Sequence, residues 1–144
     1  MDDTREDDRL NVEGILIGTV FGIVVTVGSA LLIGVLLAEV LSKQGLSQRE
    51  IEEAVASKQA TDWLHAGLAA VWTSVGGYLA AKRAGDRESL HGLLVGGVLA
   101  VVAGVGMLAM PQAMPIDLTV LGVLLMIPAG MIGGFIASTR VLEF

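Results

Sequence analysis

Long charge-free runs of apolar residues dominate the chain and divide it into four segments. The first run extends from Gly14 to about Ala38, and the others cover approximately residues 63–81, 90–110 and 118–139. Each run is close to, or longer than, the roughly 20 residues that an α-helix needs to cross a bilayer. Unpaired backbone groups are costly in lipid, so these segments should be helical. The pattern predicts an all-α, polytopic membrane protein with a bundle of four transmembrane helices.

The charged and turn residues between these runs set the predicted boundaries. In chain order we predict an acidic tail (1–12), a first span (13–41), an outer loop (42–61), a second span (62–82), an inner loop (83–89), a third span (90–110), an outer turn (111–116), a fourth span (117–139) and a C-terminal tail (140–144).

The outer loop carries the pattern of a helix start. Ser47 and Glu50 have the spacing of a capping box, in which each residue's side chain bonds the other's backbone N–H. A short helix over about 48–58 should therefore lie at the membrane interface.

The distribution of Lys and Arg predicts the orientation. An even number of spans places both termini on one side, and an inside N-terminus gives the inner segments six Lys and Arg residues against three in the outer segments. The positive-inside rule then predicts cytoplasmic N- and C-termini in a prokaryotic inner membrane.

Two pairs of segments are similar to each other, which predicts an internal duplication. Residues 13–18 (EGILIG) align with 91–96 (HGLLVG), and residues 76–80 (GGYLA) align with 133–137 (GGFIA). Each repeat unit would be a hairpin of two spans, so both units enter the membrane from the same side. We therefore expect two tandem, parallel helical hairpins with the short interfacial helix inserted into the first.

Glycines lie within the predicted spans at helical spacing rather than in a loop between a strand and a helix, which excludes a nucleotide-binding fingerprint. In lipid, small residues let helices approach closely. We predict helix packing at Gly14, Gly18, Gly22, Gly76, Gly77, Gly92, Gly96, Gly130, Gly133 and Gly134. This packing could be within the chain or between subunits, and a pore lined by backbone is a further alternative.

Composition narrows the chemistry. The net charge of −6 argues against nucleic acid as a partner, and the absence of cysteine excludes thiolate sites and disulfides. No catalytic constellation or metal motif is evident, so we expect no enzyme activity, cofactor or metal. The repeat aligns Glu13 with His91, which form a polar pair or simply mark the lipid boundary. Polar residues available to line a pore are Thr19, Thr26, Thr73 and Ser74.

Residues 75–85 (VGGYLAAKRAG), followed by 90–96 (LHGLLVG), resemble a run found in small four-span membrane proteins of the YrzE-like kind in bacteria and archaea. The resemblance covers the second and third spans. It implies the same four-span architecture and no catalytic residue, because that group has no assigned biochemistry.

These patterns favour a non-enzymatic structural or accessory subunit that packs in the lipid bilayer with copies of itself or with a larger membrane protein. A homo-oligomeric channel or small-solute facilitator is the alternative, and a regulator acting through the helix at 48–58 is a third hypothesis.

Overall fold

A computed structural model describes residues 10–57, 59–85, 87–109 and 116–139, and their side chains apart from those of 55–62 and 116–119. Every regular element in these ranges is an α-helix, which confirms the all-α prediction for this part of the chain. The helices are α1 (Val12–Lys43), α2 (Gln48–Ser57), α3 (Gln59–Ala84), α4 (Glu88–Ala109) and α5 (Ile116–Ser138). The predicted acidic tail up to residue 9, most of the outer turn and the C-terminal tail lie outside the described residues.

Three helices are long and apolar enough to cross a membrane: α1, α4 and the part of α5 from Val120 to Ser138. They support a membrane protein. α1 has 32 residues and is about 48 Å long, more than the ~30 Å of a hydrocarbon core. α3 has 26 residues, which is also long enough, but it is distinctly less apolar than the other three long helices.

The helices extend beyond the predicted boundaries on both sides of α2. α1 continues to Lys43, whose ammonium pairs with Glu39 at 2.8 Å, and two residues beyond its end Gly45 has a φ of +79°. Glycine adopts this left-handed conformation without a steric penalty. α3 begins at Gln59, so most of the predicted outer loop (42–61) is helical in the structure.

Ser47 and Glu50 form the capping box at the start of α2. The Ser47 backbone N–H donates to Glu50 Oε2 at 2.8 Å, and the Glu50 N–H faces Ser47 Oγ at 3.5 Å. The Ser47 hydroxyl also donates to Glu50 Oε2 at 2.7 Å. These hydrogen bonds stabilise the carboxylate and hold the pKa of Glu50 below its ordinary value.

α3 is the central helix of the bundle and packs against α1, α4 and α5, while α4 also contacts α1 and α5. α1 runs antiparallel to α3, because Gly14 lies against Ala80 and Gly18 against Gly76. α4 and α5 are likewise antiparallel. We call the end of the bundle where α1 and α4 begin and α3 and α5 end the packed end, and the opposite end the far end.

Apart from Leu41 near the far end of α1, the buried side chains lie toward the packed end and the middle of the bundle. Ala80 on α3 and Val95 on α4 are completely buried, and Leu99 lies beside them. Partly buried Ile15, Ile23 and Met126 complete this cluster. α5 continues as a helix through Pro128, whose ring nitrogen cannot donate to the preceding turn.

Residues that the repeat aligns do not make equivalent contacts. Gly14 faces Ala80, whereas its counterpart Gly92 faces Gly130 and Gly134 on α5. The second hairpin is therefore packed in a different register from the first. The tandem repeat stays a prediction.

Candidate functional site

The closest helix contacts occur at glycines. Gly18 on α1 and Gly76 on α3 face each other, and a Cβ built on Gly76 would lie 2.5 Å from the carbonyl oxygen of Gly18. A Cβ on Gly18 would collide with the carbonyl oxygen of Gly76 in the same way. Nearby, a Cβ on Gly14 would meet Ala80 O at 3.0 Å, and one on Gly22 would meet the Leu99 side chain at 2.8 Å. Any side chain at these positions would push α1 away from its neighbours.

A second group of glycines brings α5 against α3 and α4. Gly77 faces Gly130, and the backbone of Ser74 and Tyr78 leaves no room for a Cβ at Gly133. Between α4 and α5, a Cβ likewise has no room at three glycines. Gly92 and Gly96 on α4 lie against the backbone of α5, and Gly134 on α5 lies against the backbone of α4. The structure thus places all ten glycines singled out from the sequence at close contacts between helices.

Other glycines in the same helices face open space. A Cβ would have no neighbour within 4 Å at Gly28, Gly34, Gly67, Gly97, Gly104 and Gly106. Gly97 has this freedom directly beside Gly96, which lies against the backbone of α5, so the open and the packed glycines of α4 lie on different faces there. The tight glycine contacts all lie toward the packed end and the middle of the bundle.

A cavity of about 180 Å³ lies beyond the last glycine contacts of α1, at the junction of α1, α3, α4 and α5. Thr26 on α1 and Thr73 on α3 contribute hydroxyl groups, and Thr73 is only 1% exposed. The remaining lining is apolar or glycine: Gly22, Ile23, Val27, Leu99, Val102, Ala103 and Met126. Such a space suits a small, mostly apolar group with one hydrogen-bonding end.

The four residues predicted to line a pore do not share one path. Thr26 and Thr73 line the cavity, but Ser74 lines a separate groove between α3 and α5 and donates its hydroxyl hydrogen to Ala70 O at 3.0 Å. Thr19 is 7% exposed and lies in the packed half of α1. Fully buried Val95 and Ala80 lie in the same half of the bundle. The four residues therefore do not line one continuous path within a single chain, and a pore between subunits of a homo-oligomer stays a prediction.

Three buried polar atoms lack a hydrogen-bond partner among the described residues: Thr19 Oγ1, His65 Nε2 and Trp72 Nε1. His65 and Trp72 are seven residues apart on α3, which places them on one face of that helix. An unpaired polar atom in an apolar interior costs about 1–3 kcal/mol. Each of these unpaired atoms therefore lowers the stability of the single chain.

A polar cluster joins three helix ends at the packed end. The Asn11 side chain caps α1 by accepting from the Gly14 N–H at 2.8 Å, and its amide nitrogen donates to Arg83 O on α3 at 3.1 Å. The Asn11 backbone N–H donates to His91 Nε2 on α4 at 2.9 Å. His91 Nδ1 lies 3.1 Å from the carbonyl oxygen of Arg87. We call these four residues, Asn11, Arg83, Arg87 and His91, the Asn11 clasp.

The clasp corrects the predicted pairing of Glu13 with His91. Both ring nitrogens of His91 face backbone groups, and the ring is only 3% exposed, whereas Glu13 is exposed at the surface of α1. The repeat aligns the two residues at equivalent positions, but the structure does not bring them into contact with each other. Asn11 was not singled out from the sequence, although an asparagine directly before an apolar run is a standard helix-capping signal.

A larger groove, of about 690 Å³, separates the far end of α1 from α2. Its lining combines Gly34, Ala38 and Ile51 with polar Glu39, Ser42, Gln48 and Glu52. Leu41 is the one side chain of this part of α1 that is buried among the described residues. The groove is thus amphipathic and open, as expected for a short helix at an interface.

Among the described residues, no group of three His, Cys, Asp or Glu side chains could hold a metal ion. The arrangement of glycines, cavity and clasp can hold helices together and admit a small apolar group. Comparisons with protein-family models, with curated proteins and with solved structures find no match to this chain.

Proposed function

We propose that this protein is a non-enzymatic subunit of the membrane that spans the bilayer four times and assembles with copies of itself or with a larger membrane protein. The observation that carries the proposal is the contrast between the two sets of glycines. One set lies at close contacts between helices of the chain. The other set, on α1 and α4, has no atom of the chain within 4 Å of a Cβ.

The open glycines support assembly on physical grounds. A glycine inside a helix costs roughly 1 kcal/mol relative to alanine. Close backbone approach offsets this cost at Gly18 or Gly96, but no contact within the chain does so at Gly97 and Gly104. These two lie on one stripe of α4 with Val101 and Leu108, and Leu108 is 81% exposed. A neighbouring helix would gain close contact along this stripe.

The position of α3 supports a fourth span. α3 packs against α1, α4 and α5, which are the three helices with the length and apolarity to cross. A helix that packs along spanning helices lies at the same depth in the membrane. These neighbours cover part of the surface of α3 and bury polar Thr73, while Trp63 and Val71 on the same helix stay exposed.

The topology we propose keeps the predicted features of the sequence. α1 and α4 run in the same direction, as two parallel hairpins require. The packed end carries Lys82, Arg83 and Arg87, which favours a cytoplasmic location for this end in a prokaryotic inner membrane. The resemblance to the YrzE-like group agrees with four spans.

Substitutions on the α4 stripe test the proposal. Replacing Gly97 and Gly104 together by leucine should leave the fold of the chain intact and its free energy of unfolding unchanged or higher, because no atom lies within 4 Å of a Cβ at either position and leucine favours the helix over glycine. The oligomer, counted by single-molecule photobleaching in lipid, should be lost. Val98→Leu, which adds bulk to another exposed face of α4, should assemble normally. A double variant that assembles like the unaltered chain would remove this stripe from the proposal.

The Thr26–Thr73 cavity favours a second candidate, a facilitator of small, mostly apolar solutes. Flux across proteoliposomes should then fall when Thr26 and Thr73 are both changed to valine. Ser74→Ala is the matched control, because Ser74 lies in a different groove. If proteoliposomes with the unaltered protein show no flux, this activity is excluded for the solutes tested.

A further inference from the structure

We infer that the Asn11 clasp is a proton-operated latch, in which neutral His91 holds the first turn of α1 against α3 and α4 and protonated His91 releases it. The inference rests on hydrogen bonds at the packed end and does not depend on the proposed assembly.

The protonation state of His91 follows from its two partners. The donor at Nε2 is the backbone N–H of Asn11, which can only donate, so Nε2 must accept and carries no hydrogen. The group at Nδ1 is the carbonyl oxygen of Arg87, which can only accept, so Nδ1 must carry the hydrogen. The clasp therefore selects one tautomer of the neutral ring, and the imidazolium cannot make both bonds.

The rest of the clasp depends on the bond to His91. The Asn11 side chain accepts from the Gly14 N–H, which caps α1, and donates to the carbonyl oxygen of Arg83 near the end of α3. A proton on Nε2 would point at the Asn11 N–H, so two donors would face each other beside a His91 side chain that is only 3% exposed. Asn11 then has to move, and the contacts with Gly14 and Arg83 move with it.

Helix ends and charged residues from several elements surround the His91 ring. The first turns of α1 and α4 both lie beside it. The charged residues on the surrounding elements are Glu13 on α1, Lys82 and Arg83 on α3, and Arg87 and Glu88 at the start of α4. Residues 130–138 of α5, which pack against the start of α4, contain no charged side chain.

The latch sits at the edge of the tightest contacts rather than within them. Gly14 lies one helical turn from Asn11 and touches Ala80, and Gly18 touches Gly76 one turn further on. Release of Asn11 should therefore free the first turn of α1 and leave the glycine contacts beyond it closed. A response of this size is local and reversible.

The test is amide hydrogen exchange at Asn11, read by NMR on the full chain in lipid nanodiscs and corrected for the intrinsic effect of pH. Protection of the Asn11 amide should fall at least tenfold as His91 becomes protonated, while protection at Val95 and Leu99 stays. The ¹⁵N shifts of the ring at neutral pH should show hydrogen on Nδ1 and none on Nε2.

Variants at the two histidines of the chain separate the latch from a general effect of acid. His91→Gln keeps an acceptor that cannot be protonated. The Asn11 amide should therefore stay protected from exchange both at neutral pH and in acid. His65→Gln should leave the acid response intact. Loss of protection in acid despite His91→Gln, or a ring that carries hydrogen on Nε2 at neutral pH, would overturn the latch. The ring measurement uses the unaltered chain and decides the matter even where the variant fails to fold.

Discussion

Gly18 and Gly76 face each other across α1 and α3 so closely that a Cβ on either would strike the carbonyl oxygen of the other. Lipid provides no hydrophobic force that brings helices together. Contact between two backbones compensates for this, because dispersion forces act over many atoms at short range. The relationship explains why the bundle is tight where glycines are paired and open where they are not.

Two adjacent glycines on α4 should respond in opposite ways to the same small change. Gly96→Ala places a methyl group against the carbonyl of Met126 and 3.0 Å from Ile127 O, so α4 and α5 must separate. We expect a loss of about 1–3 kcal/mol in the free energy of unfolding, as for other overpacked sites. Unfolding in mixed detergent micelles, followed by circular dichroism, measures this loss.

Gly97→Ala is the matched control for that experiment. No atom lies within 4 Å of the added methyl group, and alanine favours the helix by roughly 1 kcal/mol. The free energy of unfolding should stay or rise. An equal gain for the two variants would show that helix propensity, and not contact with α5, sets the stability at this level.

Thr19 offers a site where removal of a polar group should stabilise the bundle. Its hydroxyl is buried without a hydrogen-bond partner, and valine has nearly the same shape. Thr19→Val should raise the free energy of unfolding by about 1 kcal/mol, because the unpaired oxygen is eliminated. Thr19→Ser keeps the oxygen and loses a methyl group, so it should be less stable. The same micelle assay distinguishes them, and a less stable valine variant would show that Thr19 Oγ1 has a partner in the membrane.

The start of α2 should loosen in acid. Hydrogen bonds from Ser47 hold the pKa of Glu50 below the ordinary value of 4.5. The capping contribution is therefore complete above the unfolded-state pKa and is lost as the pH falls through the lowered folded-state pKa. Hydrogen exchange at the Glu50 and Ile51 amides should accelerate there beyond its intrinsic pH dependence. Ser47→Ala should weaken the effect, because it removes the hydroxyl hydrogen bond and leaves the one from the Ser47 backbone N–H, whereas Glu52→Gln, outside the box, should keep it.

The assignment of α3 as a span predicts which side of the membrane its ends occupy. The chain has no cysteine, so a single introduced cysteine is its only thiol. Arg49→Cys on α2 and Lys82→Cys near the end of α3 are both at exposed positions. An impermeant maleimide should reach them from opposite sides of sealed vesicles. Labelling from one side only would mean that α3 does not cross.

The helices could be predicted from the sequence because apolar runs without charge have few other stable forms in lipid. The extent of α1 could not, because its last turn depends on local contacts, namely the Lys43–Glu39 pair and the left-handed Gly45. The central position of α3 could not be predicted either, because its contacts with α1, α4 and α5 join distant parts of the chain.

The sequence predicted some parts of the candidate site and not others. Spacing by four placed Gly14, Gly18 and Gly22 on one helix face, and the structure has all three at contacts. The same spacing does not show which glycines stay open, because that depends on where α1 and α4 diverge from their neighbours. The contact between Asn11 and His91 joins residues 80 positions apart, and no local pattern connects them.

Native mass spectrometry of the protein, extracted from its own membrane in lipid nanodiscs, tests the central claim most directly. Assembly through the open faces of α1 and α4 predicts a defined homo-oligomer or a fixed complex with another membrane protein. A single chain that carries only lipid would contradict a role as an assembling subunit.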